Sequence, residues 1–212
     1  MDKGDSLRTR KRLATRQAIS DAATRLILER GFDAVTIDEI AAAADVGRMT
    51  VFNYFPRKED MFFDREEEVQ TLAFDAIRGR DPGVSPIEAA RQLAHDLVWR
   101  DHELVMLSDD TSWFTRTAMA STALKARARE MRDDFTRALA VVLAETINQP
   151  VGDPNAHLAA GLIISTWSIA FSEAQKVFDR TRNAGEAKRR FLALIDRGIA
   201  GAAAALAGTA YA

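Results

Sequence analysis

The sequence predicts an all-α protein: a head of three short helices followed by a body of about six. Two observations carry this. Apolar residues recur at helical spacing almost throughout, as in Ile19, Ala22, Ala23, Leu26 and Ile27, the i, i+3, i+4, i+7, i+8 pattern of one buried face. No stretch shows the period-two alternation and hairpin turns of strands.

The elements follow in order. Gly31 stands where a C-terminal cap would end the first helix. Thr36-x-x-Glu39 reads as a capping box opening a second, short helix that turns Ile40, Ala41 and Ala44 inward. Asp45-Val46-Gly47 breaks it, and a third apolar-faced run covers Arg48–Phe55. Pro56 stops that run, because its ring clashes with continued helical backbone and it lacks an N–H. A long charged amphipathic helix is expected from about Arg57 to Ile77. The turn-rich segment 79–84 is the clearest internal break. Ser85-Pro86-Ile87-Glu88 restarts a helix that runs to about Asp101. One or two short helices then fill 103–119. A long one spans 122–147, another starts at Asp153-Pro154 and runs to about Arg180, and the last covers 184–207. The expected domains are residues 1–56 and 57–212.

Composition narrows the chemistry. The 212 residues contain no cysteine, which removes disulfides, thiolate metal sites and cysteine nucleophiles, and points weakly to the cytoplasm. No apolar run approaches the roughly 18 residues of a membrane span, and Met1-Asp2-Lys3-Gly4-Asp5 leads into charges rather than an apolar signal core. A net charge of −2 conceals an asymmetry. Through Lys58 there are eleven basic and eight acidic residues; the remainder carries 18 and 23. A basic head on an acidic body suits an anionic partner, the plain alternative being a solvated basic tail.

Two short helices joined by a tight turn form a helix-turn-helix, whose second helix fits a DNA major groove. Between Gly47 and Tyr54 the side chains not needed for a core include Arg48, Thr50 and Asn53. Arg can bind guanine through two hydrogen bonds, Asn can do the same with adenine, and Thr offers a hydroxyl and a methyl. Tyr54 and Lys58 can bond phosphates.

The run from Ala22-Ala23 through Leu26-Ile27, Glu29-Arg30-Gly31-Phe32-Asp33-Ala34-Val35-Thr36-Ile37-Asp38-Glu39-Ile40-Ala41, Ala44-Asp45-Val46 and Thr50-Val51-Phe52-Asn53-Tyr54-Phe55-Pro56-Arg57-Lys58 closely resembles the N-terminal domain of TetR family transcriptional regulators. The resemblance implies DNA contacts from Thr36, Arg48, Met49, Thr50 and Asn53, and phosphate contacts from Tyr54 and Lys58. It also implies that cations near the N-terminus, Arg10 and Arg16 among them, form an arm toward the DNA. Two positions depart from the pattern. Gly47 replaces a hydroxyl cap, and Phe52 stands where many members carry a Tyr that touches DNA.

For the body the resemblance implies a ligand pocket and a dimer interface from the last two helices. Trp99, Met106, Trp113, Phe114, Phe135, Trp167 and Phe171 are the expected pocket walls, suited to a mostly apolar small-molecule effector, with plain core as the alternative. Leu162, Thr166, Phe191, Ile195 and Ile199 are the expected dimer surface, with burial inside one subunit as the alternative. The implied function is a repressor that binds a palindromic double-stranded DNA operator as a homodimer and is released by the effector. His95 and His102 are seven apart, yet no third firm ligand accompanies them, so a metal site is not expected. No catalytic set and no cofactor motif is evident.

Overall fold

The computed structural model describes residues 3–212, with side chains from Leu7 onward; Met1 and Asp2, which open the charged N-terminus, lie outside the described residues. Ten helices follow: α1 (Lys3–Arg30), α2 (Ile37–Ala43), α3 (Arg48–Tyr54), α4 (Lys58–Phe62), α5 (Glu66–Arg78), α6 (Pro86–Trp99), α7 (Asp109–Ala120), α8 (Thr122–Glu145), α9 (Pro154–Thr181) and α10 (Ala184–Ala205). A 3-10 turn, Glu103–Val105, precedes α7. There is no strand among the described residues, and none of the helices is long and apolar enough to cross a membrane. The chain forms two compact units. One runs up to Glu66 and also takes in Thr117–Arg127; the other contains Glu67–Arg116 and Ala128–Ala212.

The first unit is built on α1, whose Ile19, Ala22, Ala23 and Ile27 are buried. Gly31 ends the helix in the left-handed region (φ +82°), where its N–H bonds the Ile27 carbonyl at 2.8 Å; a side chain would strain this turn. Thr36 completes the expected capping box: its hydroxyl accepts from the Glu39 amide at 3.3 Å, and its own amide donates to Glu39 Oε2 at 2.8 Å. The guanidinium of Arg30 adds an ion pair to Glu39 at 2.8 Å, and these bonds hold the Glu39 carboxyl down at about 2. Gly47 caps α3 with extended backbone and no side-chain bond, and Phe55, also extended, closes it before Pro56.

Two expectations change here. The single helix over 57–77 is two, α4 and α5, separated by Phe63–Arg65. Phe62 is buried with its ring edge-on to Phe32 at 6.1 Å, while the Asp64 carboxylate accepts from Ser20 Oγ and its carbonyl from Arg16. These long-range partners hold the chain where local preference would continue a helix. The N-terminal stretch of the first unit runs on past residue 56 to Glu66 and includes the buried Met61 and Phe62.

In the second unit, α6 starts with Ser85 Oγ accepting from the Glu88 amide (3.2 Å) and with Pro86 in the first turn, as expected. In this unit α9 packs most extensively against α10. Gly198 of α10 sits directly against the Thr166 side chain of α9. Phe191, Ile195 and Ile199 are 2%, 0% and 2% exposed and packed into this unit's own core. Their i, i+4, i+8 stripe is a core face rather than a dimer surface, and Thr166 is turned toward Gly198 of the same chain. The tail after α10 returns to the core through Tyr211, which is fully buried; its hydroxyl donates to Asp153 Oδ2 at 2.6 Å and its carbonyl accepts from the Ile87 amide at 3.3 Å. Burial and the Asp153 carboxylate both push the Tyr211 phenol well above its usual range.

Candidate nucleic-acid interface

Helix α3 buries one face and presents the other. Val51 is fully buried and anchors the helix to the first unit, whereas Arg48, Met49 (71% exposed) and Asn53 point outward, with Thr50 and Tyr54 half-buried at the flanks. The outward set follows i, i+4 spacing from Met49 to Asn53, one stripe of a helix narrow enough for a major groove. Residues 48, 49, 50 and 53 are therefore brought together as expected. Phe52 is half-buried, and the guanidinium of Arg48 lies over its ring, 5.6 Å from the centroid. Arg48 Nη1 also donates to both carboxylate oxygens of Asp38 on α2, at 3.1 and 2.9 Å.

The basic stretch near the N-terminus is helical, the first part of α1. From Leu7 to Ala14 the side chains of α1 are solvent-exposed. Arg8, Lys11, Arg12 and Thr15 line a shallow open groove with Tyr54. That groove combines three cations, a hydroxyl and a phenol, the donor set that suits a phosphodiester. Arg10 lies on the same exposed helical segment but outside the groove lining.

Three expected contacts have structural work within the unit. Arg16 donates to the Asp64 carbonyl at 3.2 Å and stacks over Phe55 at 4.8 Å. Lys58 Nζ donates to the carbonyls of Phe32 and Val35, both at 2.8 Å, and sits 4.1 Å from the Phe32 centroid. Partial burial lowers the pKa of this lysine, with the nearby Asp33 and Glu59 carboxylates opposing the shift. The Thr36 hydroxyl is engaged by Glu39, donating to Oε2 at 2.7 Å. Residue type alone does not distinguish a cation that braces the fold from one that binds a phosphate. The pairing of Asp38 with Arg48 carries no sequence signal of its own, since an acidic residue in the first turn of a helix is ordinary.

The body is less resolved as a site. Trp99 is 82% exposed at the end of α6 and walls no interior space. Met106 and Phe114 are also partly exposed, at 40% and 37%. Phe135, Trp167 and Phe171 do pack against the core, Phe135 edge-on to Phe74 at 5.9 Å and Trp167 edge-on to Phe191 at 5.8 Å; Trp113 is half-buried on α7. A polar cluster not foreseen from sequence lies between α7 and α9. Gln175 Nε2 donates to Ser112 Oγ at 2.6 Å and to Asp179 at 3.2 Å, while its buried Oε1 has no hydrogen-bond partner. His95 pairs with Asp196 (2.8 Å) beside Arg91, and His102 Nδ1 accepts from the Leu104 amide, so the two histidines have separate duties.

Comparison with known proteins agrees with the head. Residues 19–64 match the family model described as bacterial regulatory proteins, tetR family. Over 85 residues the chain is 36% identical to the HTH-type transcriptional repressor LfrR of Mycolicibacterium smegmatis, covering 40% of this chain and 44% of that protein. The matched stretch spans less than half the length of the curated relatives. In three dimensions the chain is similar to a TetR-family regulator candidate from Mesorhizobium loti (TM-score 0.54, 20% identity, 90% of this chain and 97% of that one). It is also similar to SmeT in its complex with triclosan (0.53, 19%, 89% and 91%). At those identities the likeness is one of fold. Residues 19–64, which hold the capping box, the turn and the exposed stripe of α3, are thus similar to the DNA-binding region of tetR family regulators, and the rest of the chain shares their fold.

Proposed function

We propose that the protein is a DNA-binding transcriptional repressor that reads a palindromic operator as a homodimer and releases it on binding a small, mostly apolar effector. The observation that carries the reading is the outward stripe Arg48, Met49, Asn53 on a helix whose opposite face is anchored by buried Val51. Two such helices on a two-fold dimer would enter successive major grooves about 34–36 Å apart.

Support for the homodimer comes from α9. On α9, exposed Leu158, Ser165, Ile169 and Ser172, with half-buried Leu162 between the first two, follow alternating four- and three-residue spacing, Leu158 being 46% and Ile169 57% exposed. That is the spacing of a helix-packing seam. Exposed Ala193, Ala200, Gly201 and Ala204 on α10 permit close approach of a neighbouring helix. This surface replaces Phe191, Ile195 and Ile199 in the dimer reading.

Support for an effector is the orphaned Gln175 Oε1 on α9, a buried acceptor that a ligand donor would satisfy. SmeT binds triclosan in its solved complex, and the fold is shared. The end of α7 and the start of α8, Thr117–Arg127, belong to the first unit, where Ser121 donates to Asp33 and Arg127 pairs with Asp60. Anisotropy titration of labelled duplexes from the protein's own upstream region tests the reading. Specific binding whose affinity falls linearly in log salt supports it; equal affinity for unrelated duplexes refutes it.

A further inference from the structure

The pair Asp38–Arg48 has features that stability alone does not explain. Both side chains are well exposed, 66% and 59%, and exposed ion pairs contribute little to stability. Arg48 also occupies the first position of α3, where the positive end of the helix dipole disfavours a cation. What the pair does is fix a direction. Asp38 takes Arg48 Nη1 through both carboxylate oxygens, and the Phe52 ring supports the guanidinium from one side. A planar group held at one nitrogen and against one ring has lost most of its rotational freedom. Its remaining edge, Nε with Nη2, makes no hydrogen bond among the described residues and is a two-donor fork, the geometry that guanine O6 and N7 accept.

We propose that Asp38 is a positioning residue for base recognition: with Phe52 it aims the Nε–Nη2 edge of Arg48 at one guanine of the operator. This rests on the DNA-binding reading above and adds to it which base class Arg48 selects and which residues aim it. It also gives Phe52 a role in place of the tyrosine contact common at this position, since an aromatic face suffices to support a guanidinium.

The test selects preferred sites from a pool of randomised duplexes with the wild type and with Asp38→Asn, Asp38→Ala, Arg48→Lys and Asn53→Ala, then measures salt dependence on the wild-type site. Thermal melting confirms that each variant is folded; Asp38 is exposed, so melting points within a few degrees of wild type are expected. Asp38→Asn and Asp38→Ala should lose about ten-fold of the guanine preference at one position, the position that Arg48→Lys also relaxes. Their salt slope should match wild type, because no phosphate contact is removed. Asn53→Ala should relax a different position. Retention of full guanine preference by both Asp38 variants, while Arg48→Lys loses it, overturns the positioning role and leaves DNA binding intact. A wild type that selects no sequence overturns both readings together.

Discussion

Replacing Gly198 by alanine sets two effects of opposite sign against each other. In the interior of α10, alanine is favoured over glycine by about 1 kcal/mol, through backbone entropy alone. A Cβ at this position, however, would lie 2.5 Å from Thr166 Oγ1 and 3.0 Å from Thr166 Cβ, with Cγ2 nearer still. Threonine in a helix has few χ1 alternatives, and turning it moves one branch out as the other moves in. The helices must separate, and overpacking of this kind costs about 1–3 kcal/mol. The expected net result is destabilisation of about 1 kcal/mol, and a melting point lower by roughly 2–4 °C for a chain of this size. Urea unfolding at fixed protein concentration measures it, since any dimer makes apparent stability concentration-dependent. In a Thr166→Ala background the same change should become neutral or stabilising, a coupling of about 1–2 kcal/mol in the double-mutant cycle. If Gly198→Ala alone stabilised the protein by about 1 kcal/mol, Thr166 would not face Gly198, and its place in a dimer surface would be open again.

Three further outcomes are expected. Lys58→Met removes the donor to two carbonyls at the α1–α2 connection and should lower stability by about 1–3 kcal/mol in urea unfolding; the slope of DNA affinity against salt should stay within one counterion of wild type if Lys58 is a brace. Ile169→Glu places a charge in the outward α9 stripe and should shift the protein toward monomer in sedimentation velocity, while the buried-face change Ile195→Val should lower stability without changing oligomeric state. The Glu39 carboxylate, held at about 2 in the folded protein, lies below its ordinary unfolded value, so its contribution is complete above that ordinary value near 4.5 and lost as pH falls from there toward 2. Carbon-detected NMR titration of Glu39 should report a midpoint near 2, and Glu39→Gln should flatten this part of the acid-unfolding curve.

Local chemistry was the legible part of the fold. Thr36-x-x-Glu39, Ser85-Pro86 and Gly31 each carry a boundary in their own side chain or backbone, and each boundary falls where the sequence puts it. The break between α4 and α5 was hidden because Phe62-Phe63-Asp64 contains no glycine or proline. Its cause is Ser20 and Arg16, more than forty residues away. The stripe Phe191, Ile195, Ile199 announces a buried face but not the partner that buries it, and that partner turned out to be the same chain. In the site, helical spacing was enough to group Arg48, Met49 and Asn53. Charge was not enough to separate cations that brace the head, Arg16 and Lys58, from those left facing outward on α1, Arg8, Lys11 and Arg12. The burial of Tyr211 in the tail and the exposure of Trp99 are likewise tertiary outcomes that residue type does not encode.

The claim on which the rest depends is that the outward face of α3 lies against base-pair edges. Affinity of the wild type and of the triple variant Arg48→Ala, Thr50→Ala, Asn53→Ala for a selected duplex and for an unrelated one, over a range of salt, addresses it most directly. The wild type should prefer the selected duplex by at least about a thousand-fold, and the triple variant should bind both alike with the salt slope little changed. A triple variant that still distinguishes the two duplexes as well as the wild type does would contradict the account.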